Sequence, residues 1–208
     1  ILMLSSCRQD TSPFIVDLGS EWKFSEGDNP AWADPGFDDK GWKEIRVTEN
    51  WDGQGFRDYD GIGWYRARVM IAGALRNNAV PGDSLQFFLG KVDDADQVFL
   101  NGFLIGENCT NAAAGRQPDS SFIKARHIWN IQRRHTLEIT DPKIKWDEEN
   151  VIAIRCFDQG GPGGITGERF EISRIGMRDR VSFDLQTNPF VLKDSVVTKT
   201  FTAENFST

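Results

Sequence analysis

The stretch from Leu89 to Gly106, LGKVDDADQVFLNGFLIG, constrains the fold more than any other. A strand runs into an acidic turn between Lys91 and Asp96, and a second strand covers Gln97 to Leu100. Asn101-Gly102 then reverses the chain into a third strand over Phe103 to Ile105. Asn-Gly between apolar runs is the strongest short hairpin signal, because both residues accept the positive φ of a type I′ turn. Such a hairpin needs a sheet to lie in. The alternating segments WYRARVMI upstream and NVIAIRCFD downstream offer strands for it.

The rest of the chain repeats this grammar. Phe14 to Phe24 reads as a strand, a Gly19-Ser20 turn and a second strand with Trp22 and Phe24 on one face. Ser25 to Lys40 is a turn-rich loop that Trp32, Phe37 and the following Trp42 pin to the core. Trp42 to Val47 is a short strand, and Glu49 to Gly63 is a second long loop, of the kind that often carries function. Along Trp64 to Ile71, residues Tyr65, Ala67, Val69 and Ile71 share an apolar face, and Arg66 and Arg68 face the other way, where acidic neighbours pair with them. Ser84 to Leu89, Leu137 to Thr140, Asn150 to Asp158 and Arg169 to Met177 are further strands, and IKARHIWNIQ is a candidate for another. Seven Trp and 15 Phe with 20 Gly, and no helical periodicity, point the same way. Short strands separated by turn clusters predict an all-β sandwich or jelly roll.

A net charge of −7 argues against nucleic acid, whose phosphates demand a basic stripe. No run of 18 apolar residues is present, so no helix of the sequence spans a bilayer. Ile1 to Cys7, ILMLSSC, resembles the end of a bacterial lipoprotein signal peptide. That resemblance implies lipidation of Cys7, an envelope location, periplasmic or at the outer-membrane surface, and a tether over residues 8–13. Beginning at Ile1 and ending at Thr208 in mid-pattern, the chain reads as a fragment of a longer protein. The expected organisation is a signal remnant and tether over 1–13, a β-domain over 14–178, and a linker or truncated second domain over 179–208.

Catalytic machinery is not evident. The two histidines, His127 and His135, are not joined by a serine or cysteine in a nucleophile-elbow context. GGPGG at 160–164 lacks the Lys-Ser/Thr and helix of a phosphate-binding loop and suits a tight backbone corner. Cys156 alternates with Ile152 and Ile154 as a small buried hydrophobe, and a bridge to Cys109 is not required by the spacing. No cofactor is expected. Asp93, Asp94 and Asp96 have two readings: turn caps at strand ends, or oxygen ligands for a structural calcium ion. In the loop before the Trp64 strand, Asp58 and Asp60 suit sugar hydroxyls, and Trp51 or Tyr59 offers a flat face to sugar C–H groups. The competing reading is that Trp51, Phe56 and Tyr59 pin the loop and Asp60-Gly61 is a turn.

An ordered set of short marks runs through the chain: Trp22-Lys23-Phe24, Gly27-Asp28, Phe37-Asp38-Asp39, Gly41-Trp42, Asp60-Gly61, Trp64-Tyr65-Arg66, the Leu89 to Gly106 hairpin, Asn150 to Ile154, and Gly163-Gly164-Ile165. The set resembles the sugar-binding jelly-roll domain of glycoside hydrolase family 2, a galactose-binding-like β-sandwich, over about residues 14 to 178. The resemblance implies carbohydrate as partner, beside a catalytic barrel or second jelly roll. It also implies terminal-sugar contacts from the loops matching Asp58-Tyr59-Asp60 and Asp158-Gln159. The family's catalytic carboxylates belong to the barrel, so none is carried over. The expected function is a non-catalytic carbohydrate-binding domain on an envelope-anchored protein. The rivals are the accessory domain of a β-galactosidase-like glycoside hydrolase or sialate O-acetylesterase, and a structural spacer.

Overall fold

Alternation along the chain becomes two antiparallel sheets in the computed structural model, which describes residues 15–108, 129–176, 181–182 and 204–205. The strands are β1 (Ile15–Asp17), β2 (Glu21–Glu26), β3 (Lys43–Arg46), β4 (Gly61–Met70), β5 (Ser84–Val92), β6 (Ala95–Leu100), β7 (Phe103–Asn108), β8 (Gln132–Glu138), β9 (Glu149–Asp158) and β10 (Ile165–Ile175). One sheet has the order β1-β10-β5-β8 and the other β3-β2-β4-β9-β6-β7. Two short strands, β11 (Val181–Ser182) and β12 (Glu204–Asn205), pair with each other. Cys7, Cys109, His127 and most of the 123–132 segment lie outside the described residues, as does most of 179–208.

The sheets pack face to face. Trp22, Phe24, Tyr65, Val98, Leu100, Ile152, Ile154 and Cys156 of the larger sheet meet Leu85, Phe87, Leu89, Phe170 and Ile172 of the smaller one in a single buried cluster. The period-2 pattern read from the sequence therefore points at the core from both sides.

The Asn101-Gly102 hairpin forms between β6 and β7, with φ of 52° and 87° at the two turn residues and Leu100 opposite Phe103. Asn101 does more than turn the chain. Its amide nitrogen donates to Lys143 O and Asn150 Oδ1, both at 2.8 Å, and its oxygen accepts from Val151 N at 2.9 Å. The hairpin is thereby clamped to the start of β9.

The acidic turn behaves differently from a hairpin. β5 lies in the smaller sheet and β6 in the larger, so Asp93-Asp94 carries the chain across the sandwich. The Gly19-Ser20 turn does the same between β1 and β2. In each case both flanking strands present apolar residues to one core, which they can do from opposite sides of it.

The turn-rich 27–42 segment folds over the outer face of the larger sheet. Trp32, Ala33 and Trp42 pack with Trp64, Ala153 and Phe99, and Trp64 stacks on Phe99 at 5.6 Å between centroids. The same loop delivers two carboxylates to arginines that the sheet buries. Asp28 accepts from Arg155 Nε at 2.8 Å and Nη2 at 2.6 Å, and from the Trp64 indole at 3.0 Å. Asp39 accepts from Arg66 at 2.8 Å and Arg68 at 3.1 Å. Burial raises the Asp28 pKa, but the Arg155 and Trp64 hydrogen bonds and the Arg155 charge outweigh it, and the net shift is downward.

Candidate functional site

At one end of the sandwich the chain leaves β9 at Asp158, runs through Gln159 to Gly164, and enters β10. Antiparallel pairing sets Ala95 of β6 opposite Phe157 and Gly61 of β4 opposite Asp158. The Asp93-Asp94 turn and the loop before β4 therefore converge on the same end. The backbone ties them: Gln159 N donates to Asp94 Oδ2 at 2.7 Å, Asp93 N to Gly164 O at 2.9 Å, and Gly163 N to Asp52 Oδ2 at 2.9 Å. Gly163 is demanded by close approach, since a Cβ there would strike both Asp158 Oδ2 and the Trp51 ring.

Between these loops lies a cleft of about 730 Å³, lined by Asn50, Lys91, Asp93, Asp94, Trp129 and Gln159 with Gly160, Pro162, Gly164 and Thr166. Trp129 stands 60% exposed at its margin. The wall thus offers an aromatic face, two amides, an ammonium group and two carboxylates, a set that suits a polyhydroxylated ligand with one apolar face.

Below the wall sits Asp158, fully buried at the end of β9. Its Oδ1 accepts from Gly160 N at 2.9 Å. Burial, and then the charges of Asp93, Asp94 and Asp60, push its pKa up to about 6 against the Gly160 hydrogen bond. A general acid in glycoside hydrolysis must reach the leaving oxygen. Asp158 is not on the cleft wall, and its Oδ2 is buried close against Gly163.

The residues singled out from the sequence are distributed as follows. Gln159 lines the cleft. Asp60 is exposed, with an oxygen facing the Gly160 backbone. Asp58 is exposed and turned outward beside Arg57, at 3.8 Å and with φ of 55°. Tyr59 is half-buried, and its phenol donates to Ile62 O at 2.6 Å and accepts from Gly27 N at 3.0 Å. Trp51 is wholly interior, packed on Phe24, Tyr59 and Tyr65, with its indole donating to Tyr59 O at 3.2 Å. Asp96 is separated from the other two turn aspartates. It points into the interior, where Arg133 Nε donates to it and Asn108 donates at 3.2 Å. Cys156 is a free, buried thiol, and burial raises its pKa far above the usual value.

Trp129, Asn50, Lys91 and Thr166 escaped the sequence reading. For Trp129 the available signal was a tryptophan in an irregular polar segment outside the apolar alternation. Lys91 and Thr166 become neighbours only through the pairing of β5 with β10, and Asn50 joins them when the loop before β4 folds over that end.

Comparison with known proteins fits this architecture. Residues 27–161 match the family model described as the beta-galactosidase second all-beta domain. Beta-galactosidase BoGH2A of Bacteroides ovatus is 25% identical over 151 residues, which is 67% of this chain and 15% of that protein. A glycosyl hydrolase family 2 member from Bacteroides cellulosilyticus superposes with a TM-score of 0.56 at 16% identity, over 82% of this chain and 21% of that one. A beta-glucuronidase from glycoside hydrolase family 2 gives 0.55 at 17%, over 77% and 17%. The two superpositions establish a shared fold, and the chain spans only a small part of the length of each relative. Since the family match covers well over half of the sequence, the chain belongs to the family of the beta-galactosidase second all-beta domain.

Proposed function

We propose that this domain is a non-catalytic carbohydrate-binding module that takes a terminal sugar in the cleft beside Trp129. The observation that carries the reading is a cleft lined by a 60% exposed indole together with the amides of Asn50 and Gln159. A pyranose stacks its C–H face on an indole and turns its hydroxyls to such amides and carboxylates. Of the residues implied by the family resemblance, Gln159 lines this cleft and Asp60 lies close to Gly160 of its lining. The test is a glycan array on the full chain followed by calorimetry on the best ligand. Selective binding of a terminal sugar is expected, and Trp129→Ala should weaken it about tenfold, the loss of ~1.4 kcal/mol. Undiminished affinity in that variant would remove the cleft from consideration.

A second reading is favoured by the relatives' lengths. This chain matches 15% of a beta-galactosidase, so the domain can serve as an accessory element whose cleft edge faces a catalytic domain. An array with no selective binder, together with binding only when a hydrolase domain is present, would establish it.

We also propose that the parent protein is held at a bacterial envelope membrane through Cys7, on the strength of the LSSC sequence. In bacterial expression of a gene carrying its natural leader, radiolabelled palmitate should enter the protein and Cys7→Ser should abolish the label. Equal labelling of the two would refute the anchor.

A further inference from the structure

We propose that Asp93, Asp94 and Asp158 form a divalent cation site, with calcium the best-fitting ion. One carboxylate oxygen from each of the three lies within 4.8 Å of the other two. Oxygens bound to one calcium ion at ~2.3–2.6 Å stand at most ~5 Å apart, so these fit a common ligand sphere. A cluster of acids alone would mean little. The second observation is Asp158 itself: it is fully buried, and its Oδ2 has no hydrogen-bond partner among the described residues. A buried carboxylate oxygen without a donor costs free energy, and the nearby carboxylates add repulsion.

The fold holds the three in place. Asp94 sits at a φ of 56°, its Oδ2 fixed by Gln159 N at 2.7 Å. Asp93 accepts from Asp94 N at 2.9 Å through Oδ1. Asp158 Oδ1 is fixed by Gly160 N at 2.9 Å. An all-oxygen donor set without His or Cys selects a hard cation. A cage built from protein carboxylates, with the cleft beside it open to water for the remaining positions, suits calcium better than magnesium, which keeps most of its waters. The site stands whether or not the cleft takes a sugar.

The test uses the full chain after chelation at neutral pH, with no glycan present. Calorimetric titration with calcium chloride should show one ion per chain. A hundredfold excess over Kd should raise Tm by ~5–10 °C. Asp158→Asn and Asp93→Asn should each weaken binding at least tenfold, while Asp58→Asn, on an exposed residue, leaves it unchanged. Absence of heat and of any Tm shift with calcium and with manganese in the parent chain would overturn the site. Undiminished affinity in both variants would also overturn it.

Discussion

Asp96→Ala is expected to destabilise the domain by ~3–5 kcal/mol, the cost of leaving a buried charge without its counter-ion. Asp96 and Arg133 are both fully buried. Arg133 Nε donates to Asp96, Nη2 to Val92 O at 2.8 Å and Asp94 O at 3.4 Å, and Nη1 to Ile131 O at 2.9 Å. The guanidinium thus links the end of β5, the acidic turn and the start of β8, and the carboxylate offsets its charge. His135 adds a ring nitrogen 3.7 Å from the other Asp96 oxygen. Burial alone would raise the Asp96 pKa, but the neighbouring His135 ring and the Arg133 charge lower it on balance, so the aspartate is held as the anion. In urea denaturation the midpoint should fall with little change in slope. The double variant Asp96→Leu/Arg133→Met should recover much of the loss, because a buried pair replaced by apolar groups of similar volume is often near neutral. A single-variant loss under ~1 kcal/mol, the range of exposed pairs, would show that the pair is hydrated in solution.

Trp51→Ala carries the second large effect, ~3–5 kcal/mol, from the transfer and cavity terms of removing a buried indole. The ring fills the space between the loop before β4 and the Gly163-Gly164 corner. Trp51 N donates to Gly163 O at 3.0 Å, and Phe24, Tyr59 and Tyr65 enclose the ring. Both cleft-bordering loops should loosen together, so hydrogen exchange at Gln159 to Gly164 should accelerate along with exchange near Tyr59. Trp51→Phe should lose less, since a smaller ring leaves a smaller cavity. If Trp51 instead offers its face to a ligand, Trp51→Ala would cost binding with stability unchanged within ~0.5 kcal/mol, as for exposed positions. Thermal unfolding beside a binding titration separates the two roles.

Strand positions were legible because the outward face of a half-buried strand is polar, so the period shows. Tyr65, Val69 and Ile71, and Leu85, Phe87 and Leu89, all point where alternation predicts. The Asn101-Gly102 turn was legible because its chemistry is local. Sheet membership was not. Asp93-Asp94 joins two apolar strands whether they pair or sit in opposite layers, and only the closing of β6 on β9 decides it. The same long-range pairing brings Asp158 to Asp93 and Asp94 across more than sixty positions of sequence, while Asp96, two residues along, turns inward to Arg133. Trp51 and Trp129 show the limit for aromatics. Both lie in irregular polar segments, yet one is interior and the other 60% exposed, because burial depends on which loop closes over which.

The loop over the larger sheet has a consequence for neighbours. Antiparallel sandwiches commonly leave one broad side of a sheet to solvent, or to whatever lies next to it. Here that side is roofed by Trp32 and Trp42, with Asp28 and Asp39 bolted to Arg155 and Arg66 beneath. A neighbour that packed directly on Trp64, Ala153 and Phe99 would first have to displace this loop and its ion pairs. If an adjoining domain came up to the end where Trp129 stands, it and a sugar in the cleft would share one doorway.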